Sequence, residues 1–522
     1  MLYTRKRRIM ISKEKVTLLI QSIINSKKIV DINAMKEYLK TSYPENTIEY
    51  CNNMYGLEIS DTIPFIIWPV FMSTVADNIN ICSVNYGALT LFDDNTAETN
   101  NQIIKEYINA AVNVLVVTNI KKDRSDQVFR YWPTSIDYTN KNEWGTINQV
   151  SLSLTSLYKF GFLDKKSILS DSPLDRNTRL NRFRFFAENL NWILSSQNTV
   201  SDECAAWSYA ENCKEVENEN DIITAITPSQ FCYELVARLY DYFVSCEENK
   251  RIIDDIDPNL LKKMSTSCQY YENWIANTQK EDGGYGRNNN SSTSLFAHSC
   301  CAMLTYVYNN KNESENSDVA RLNRLISYLI KNYNNFIFEI SDISDSFKFQ
   351  YEVDNKKGYV NDIYEIFPET LFLINCCKNI NDDKNKRIKW YYKRRLRVMN
   401  YRAYEKLFSR LEMIQINNTQ SNLVVKGRQL LSRTYPIYAL YYTKICLQRL
   451  ENNDELSLKS RKKYISLPLI MNPRTLILFI VLMICVLVSY FIDPSTTLIT
   501  ILLSAATFIA SMFLPIFHKK RK

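Results

Sequence analysis

An all-α fold, a ring-like (α/α)6 toroid of helix pairs followed by a two-span transmembrane helical hairpin, is what this sequence predicts. Three observations predict it. Glycine is scarce, with 9 among 522 residues, and proline numbers 13; both residues weaken helix interiors, so their scarcity favours a mostly helical chain. A short grammar recurs six times along the chain: a polar or aromatic loop, a capping Ser, Thr or Pro, then an amphipathic helix. Residues 475–517 carry a single charged residue, Asp493.

The organisation expected from these features has five parts. Residues 1–85 form an N-terminal helical region packed on the toroid, and residues 86–450 form the toroid itself. Residues 451–474 are a basic linker, 475–517 the transmembrane hairpin, and 518–522 a basic cytosolic tail. The N-terminus has a basic run from Arg5 to Arg8 but no apolar segment after it to act as a secretory signal.

Residues 13–40 read as two short helices broken near Lys27-Lys28. Residues 43–80 are apolar and aromatic, punctuated by Pro64, Trp68 and Pro69, and read as packed helical chain. The first helix pair opens at Asp93-Asp94-Asn95-Thr96-Ala97-Glu98 and runs through Leu115. The second follows Trp132-Pro133 and Trp144-Gly145-Thr146 and begins at VSLSLTSLYKFGF. The third starts with Trp192 and Gln197, passes Trp207, and reaches Thr227-Pro228-Ser229 before its helix. The fourth is Tyr271–Tyr308, with Gln279, Gly283, Gly284, Gly286 and Ser291-Ser292-Thr293. The fifth leads to Phe367-Pro368-Glu369-Thr370, and the sixth to Ser432-Arg433-Thr434-Tyr435-Pro436. Ser, Thr and Asp satisfy the orphan N–H groups of a helix start, and proline at the first helical position sacrifices no hydrogen bond. Six units of one kind are an architectural signal.

In Tyr271–Tyr308 the order is helix, Gln, Asp-Gly-Gly-aromatic-Gly, Ser/Thr cap, apolar helix. This order resembles the QW repeat of terpene cyclases and protein prenyltransferase β-subunits, whose fold is an α/α toroid. The resemblance implies two chemistries, and neither motif is complete here. Class II cyclases use the central acid of an Asp-x-Asp-Asp motif. The nearest approach is Phe92-Asp93-Asp94-Asn95-Thr96-Ala97, where Leu91 stands in place of the first Asp, so Asp93 and Asp94 are the acids of an enzyme reading. The transferases hold zinc with Asp, Cys and His. His298, Cys300 and Cys301 share one helix start and lack a third ligand, and the other histidine is His518. No metal and no cofactor is expected. Asp254, Asp255 and Asp257 precede or flank Pro258 and read as a solvated acidic loop. Walker-type, GxSxG and GxGxxG motifs do not occur.

The net charge is +8. One basic and aromatic stretch lies between the fifth and sixth units: Arg387, Lys389, Lys393, Arg394, Arg395 and Arg397, interleaved with Trp390, Tyr391 and Tyr392. It reads as a solvated helix face, as a surface for anionic lipid headgroups, or as a site for an anionic ligand such as a nucleotide or RNA. Thirteen cysteines show no CxxC spacing and read as free thiols of a reducing compartment.

Thr475–Ile492 and Thr496–Phe517 are each long enough to cross about 30 Å of hydrocarbon at about 1.5 Å per residue. Asp493-Pro494 supplies the turn between them. Lys459, Arg461, Lys462, Lys463 and Arg474 precede the first span; Lys519, Lys520, Arg521 and Lys522 follow the second. The positive-inside rule then places both flanks in the cytosol, at the cell membrane. The expected partners are the lipid bilayer, an anionic small molecule or a protein, and a second copy of the chain through the hairpin. Three functions are consistent with this layout. One is a ligand- or partner-sensing, membrane-perturbing effector without the catalytic motifs, of the kind seen in bacterial defence. The second is a membrane-associated terpenoid cyclase or prenyltransferase-like enzyme, and the third a tethered scaffold.

Overall fold

The computed structural model describes residues 48–57, 79–92, 102–124, 127–133, 146–165, 173–208 and 226–284 almost continuously, with shorter pieces elsewhere. The pieces are 13–18, 20, 28–29, 66–67, 135–136, 169, parts of 320–328, the strands of 348–361 and 414–429, and single positions within 441–448 and 484–501. Helix makes up 72% of the interpretable residues, so the chain is mostly helical, as its low glycine content implies. The chain divides into two compact units, Arg7–Arg449 and Met1–Lys6 with Leu450–Lys522.

The described helices of the larger unit form two rows with two further helices packed against them. Helix α1 is Ile48–Tyr55, α2 is Ile81–Leu91 and α3 is Gln102–Val117. Helix α4 is Ile147–Lys159, α5 is Arg176–Ser195 and α6 is Ile226–Val244. Two further helices follow, α7 at Glu247–Ile256 and α8 at Leu260–Asn277. Helices α2, α4 and α6 pack side by side in one row, and each also packs on the long helix that follows it: α3, α5 and α8. Helix α1 bridges α3 and α5, while α7 lies against α5, α6 and α8.

The first row packs closely because α4 presents small residues to its neighbours. Ser151, Ser153 and Ser156 are all buried. The hydroxyls of Ser151 and Ser156 donate to the carbonyls of Ile147 and Leu152, four residues back, at 2.9 and 3.0 Å. Ser153 Oγ accepts from Asn85 Nδ2 of α2 at 2.9 Å. These bonds satisfy the buried serine hydroxyls of α4.

Two antiparallel hairpins lie where the sequence led us to expect loops. Strands β1 (Ile120–Arg124) and β2 (Gln127–Tyr131) follow α3 with Ile120 opposite Tyr131. Strands β3 (Gln197–Ser201) and β4 (Cys204–Trp207) follow α5, with Ser201 opposite Cys204 across the Asp202-Glu203 turn. Each hairpin leans on the long helix of the next pair, β2 on α5 and β4 on α8.

A recurring staple joins these pieces. Immediately after α3, α5 and α8 come a hydroxyl residue and an amide residue: Thr118-Asn119, Ser196-Gln197 and Thr278-Gln279. Each hydroxyl donates back to the carbonyl four residues earlier, Thr118 to Val114 at 2.6 Å, Ser196 to Trp192 at 2.7 Å and Thr278 to Trp274 at 2.6 Å. Each amide reaches forward to a later element. Asn119 Nδ2 donates to Asn189 Oδ1 of α5 at 3.0 Å, Gln197 Nε2 to the Ser267 carbonyl of α8 at 3.1 Å, and Gln279 Nε2 to the Arg321 carbonyl at 3.0 Å.

Two tryptophans complete the pattern. Trp132 Nε1 donates to the Leu115 carbonyl at 2.6 Å, and Trp207 Nε1 to the Ile193 carbonyl at 2.8 Å. Each acceptor lies two residues before the last residue of its helix, α3 or α5. The backbone of the same tryptophans then meets the next first-row helix. Thr146 N–H donates to the Trp132 carbonyl at 3.3 Å, and Ser229 Oγ bonds both the N–H and the carbonyl of Trp207 at 2.7 and 3.0 Å. Thr146 and Ser229 were expected to cap helices with their side chains. Thr146 stands at the N-cap of α4 without a side-chain cap bond, and Ser229 uses its hydroxyl to hold Trp207.

Capping by a side chain does occur at Asp175, which accepts from the N–H groups of Asn177 and Thr178 at 2.8 and 3.0 Å and so starts α5. Further along α5, fully buried Arg182 donates to the carbonyls of Tyr55 at 2.7 Å, Phe162 at 3.0 Å and Gly56 at 3.3 Å. It ties the end of α1 to the turn after α4. Its guanidinium also sits 4.7 Å from the Phe162 ring centre. Burial pushes this group down to about 10, so it stays charged at neutral pH.

The turn after α8 is the described part of the glycine motif. Gly283 has φ +91°, and a Cβ there would fall 2.3 Å from the Arg324 carbonyl oxygen, so only glycine fits. Asp282 accepts from the Gly284 N–H at 2.9 Å. The rest of the motif, Tyr285 to Tyr308, lies outside the described residues.

Residues far along the chain return to the first pair. Tyr441 packs its ring 5.7 Å from that of Tyr86 on α2, and its hydroxyl accepts from Lys159 Nζ of α4 at 3.0 Å. Lys444 Nζ donates to the Thr90 and Phe92 carbonyls at the end of α2, at 2.8 and 2.9 Å. A cation there satisfies orphan carbonyls and opposes the negative end of the helix dipole.

In the smaller unit, Ile484, Leu487, Val488, Phe491 and Ile501 are helical and exposed. Among the described residues no helix is long and apolar enough to cross a membrane. Most of 475–517 lies outside those residues.

Candidate functional site

The two rows leave a cleft where consecutive repeats meet. One wall is a single face of α8: Asn259, Lys262, Lys263, Thr266, Ser267 and Tyr270. Their spacing of three or four residues places them along about 16 Å of one helix side. Opposite stand Asn191, Leu194 and Ser195 from the last turn of α5, Gln197 of β3, and Gln127 at the start of β2. The staple creates the cleft, because Gln197 holds α8 at a fixed distance from the end of α5. The open cleft has a volume of about 530 Å³.

The floor is satisfied internally. Ser267 Oγ donates to Gln197 Oε1 at 2.8 Å, while Gln197 Nε2 donates to the Ser267 carbonyl. Asn191 Nδ2 and Lys263 Nζ both donate to Asp257 Oδ2, at 3.2 and 3.0 Å. Although partial burial pushes the Asp257 carboxyl up, hydrogen bonds from Lys263, the Asn259 N–H and Asn191 outweigh it and hold the group below the ordinary carboxylate range. Asp257 is therefore committed to holding Lys263 and Asn191 in place.

The rim differs from the floor. The side chains of Gln127, Asn259, Lys262, Thr266 and Tyr270 make no hydrogen bond or ion pair among the described residues. They present amide donors and acceptors, hydroxyls, one aromatic ring and a positive charge. Among the described residues the lining contains no carboxylate, histidine or cysteine. Such a surface binds by hydrogen bonding and charge, and it offers no paired acid and base.

Asp93 and Asp94 lie outside the described residues, as do Arg387, Lys389, Lys393, Arg394, Arg395 and Arg397, and also His298, Cys300 and Cys301. The Asp254 cluster is described, and it is not a loop. Asp254 and Asp255 belong to α7, and Asp257 ends that helix with its carboxylate bound to Lys263. Cys51, Cys204, Cys232, Cys246 and Cys268 are free thiols. The cleft residues gave one signal in the sequence, a polar stripe at helical spacing from Asn259 to Tyr270, which reads equally as a solvated helix face.

No protein-family model, no curated protein and no solved structure matches this chain.

Proposed function

We propose that this chain is a cytosolic α/α-toroid protein anchored in the cell membrane by residues 475–517. In this reading it senses a ligand or partner through its helical repeats and perturbs the bilayer through its hairpin. The toroid part of the proposal is supported by the staple repeated after α3, α5 and α8, and by Tyr441 and Lys444 lying against α2 and α4. A row of helix pairs whose sixth unit returned to the first would close into a ring, and these contacts support that reading.

The observation that bears on the membrane role is the exposure of apolar side chains in the smaller unit. Ile484, Leu487 and Val488 are about half exposed, and Phe491 is 82% exposed. In water such apolar side chains would be a liability, and a bilayer removes it. The cleft supports a binding role, since its lining holds hydrogen-bonding groups and no acid–base pair.

The test is reconstitution of the full chain into liposomes loaded with a self-quenched dye. A membrane-perturbing effector releases the dye upon addition of its trigger, and a variant with the hairpin replaced by an unrelated single-span anchor does not. Equal behaviour of the two anchors makes the protein a tethered scaffold. A full-length protein that neither oligomerises nor permeabilises with any candidate trigger sinks the effector reading.

A further inference from the structure

We propose that the cleft between α5 and α8 binds a nucleoside phosphate, with Lys262 and its neighbouring amides at the phosphate end and Tyr270 at the base end. The proposal deepens the ligand-sensing reading above and rests on it only for the idea that binding is the protein's task.

Three features of the cleft select this ligand class. The first is charge. Lys262 and Lys263 line the same wall, and Lys263 is matched by Asp257 at 3.0 Å. Lys262 is exposed and forms no ion pair among the described residues, so the cleft keeps one uncompensated positive charge. An anion restores the balance, whereas a neutral sugar leaves it. Nor is a carboxylate present on the lining to accept from sugar hydroxyls, because Asp257 already accepts from Lys263, Asn191 and the Asn259 N–H.

The second feature is the ring. Tyr270 is the one aromatic residue of the lining, and it stacks on no other ring among the described residues. Many of the aromatic side chains of this unit pair with each other, as Tyr233 does with Tyr271 at 4.7 Å. A half-exposed phenol on a cleft wall is a platform for a planar group.

The third is length. Lys262 and Tyr270 are eight residues apart on one helix face, about 12 Å along the axis at about 1.5 Å per residue. An anionic group joined to a planar base through a pentose bridges that separation once both side chains reach inward. Between the two ends Thr266 offers a hydroxyl for the sugar, with Gln127 on the opposite wall and Asn259 beside Lys262 at the phosphate end. The volume of about 530 Å³ lies within the range of about 300–1,000 Å³ usual for small-molecule sites.

Calorimetric titration of the full chain in detergent tests this, with AMP, GMP and UMP as probes and adenosine, ribose 5-phosphate and inorganic phosphate as controls. The expected result is a nucleotide bound at least tenfold tighter than each of the three controls. Lys262→Ala and Tyr270→Leu should each weaken that binding roughly tenfold, the usual effect of losing a charge contact or a stacked base, and Tyr270→Phe should retain it. Both positions are at the surface, and an unchanged Tm in the variants confirms that the fold is intact. If ribose 5-phosphate binds as tightly as the nucleotides, or adenosine does, the assignment of the corresponding end is overturned. Absence of binding at millimolar nucleotide, or binding indifferent to both substitutions, overturns the proposal as a whole. Liposome release separates this from the functional reading. Nucleotide binding without any membrane effect keeps the site and removes the effector role, and trigger-dependent release without nucleotide binding does the reverse.

Discussion

Carboxylates at the ends of helices make the fold sensitive to acid in a direction that can be worked out residue by residue. Asp175 is held below its usual range by hydrogen bonds from Thr178 and Asn177, and Glu248 by Lys165 and Arg179. Asp257 is lowered by Lys263, Asn259 and Asn191 against the opposing effect of burial. In each case the folded pKa is depressed relative to the unfolded chain. The stability these groups contribute is therefore fully present above about pH 4–4.5, and it is lost as the pH falls through their folded values. Tm should accordingly fall between about pH 5 and pH 3. Asp257→Asn should start from a lower Tm near neutrality and lose less on acidification, because it has no proton left to gain. A variant whose acid profile runs parallel to that of the parent would show that Asp257 does not contribute in this way. The Arg182 cation, bound only to backbone carbonyls, brings no titration into this window.

Helices alone do not hold the rows together; the links between them do. In each link a hydroxyl turns back to close its own helix, an amide reaches forward, and in two of them a tryptophan clamps both sides. Trp207→Phe isolates one strand of this logic. The Ile193 carbonyl then loses one of its two donors and keeps the Ser196 N–H, while the smaller phenyl ring leaves a void where the indole was. A lost net hydrogen bond costs about 0.5–1.5 kcal/mol, and the void adds to it. Gln197→Leu should cost a similar amount and also loosen the cleft, since the same amide fixes the Ser267 carbonyl and hydroxyl. Chemical denaturation of the two single variants and the double variant checks both the cost and the coupling: the staple predicts a double-variant loss that differs from the sum of the singles. Much of this was legible beforehand. The recurrence of Trp132, Gln197, Trp207 and Gln279 marked repeat junctions, and Gln279 does reach across one. The two hairpins were not legible as strands. Ile120–Arg124 and Gln197–Ser201 are short and polar on one side, and what makes them strands is the helix each hairpin leans on. The cleft was missed for a related reason. A polar stripe on α8 is indistinguishable from a solvated face until Gln127 and Asn191 are seen standing opposite it.

At the scale of the whole molecule the decisive contact is the one that spans the chain. Lys444 satisfies the Thr90 and Phe92 carbonyls, and Tyr441 sits between Tyr86 and Lys159, although more than 280 residues separate Tyr441 from Lys159. A contact of such sequence separation carries a loop-closure entropy that grows only slowly with length, so the bonds formed at its ends can offset it. In an open array the end units fray independently of each other, because each repeat is held by its neighbours alone. In a ring, weakening the closing contact loosens both sides of it together. Lys444→Met keeps the apolar stem and removes the cation, leaving two helix-end carbonyls without that donor. Hydrogen exchange should then rise in two places at once, in residues 441–448 and in the last turn of α2, by at least tenfold. Exchange in α8, which packs on α6 two first-row positions from α2, should stay unchanged. An increase confined to residues 441–448 would mean that α2 gains nothing from the contact, and the array would then be open, with the C-terminal segment merely resting on it.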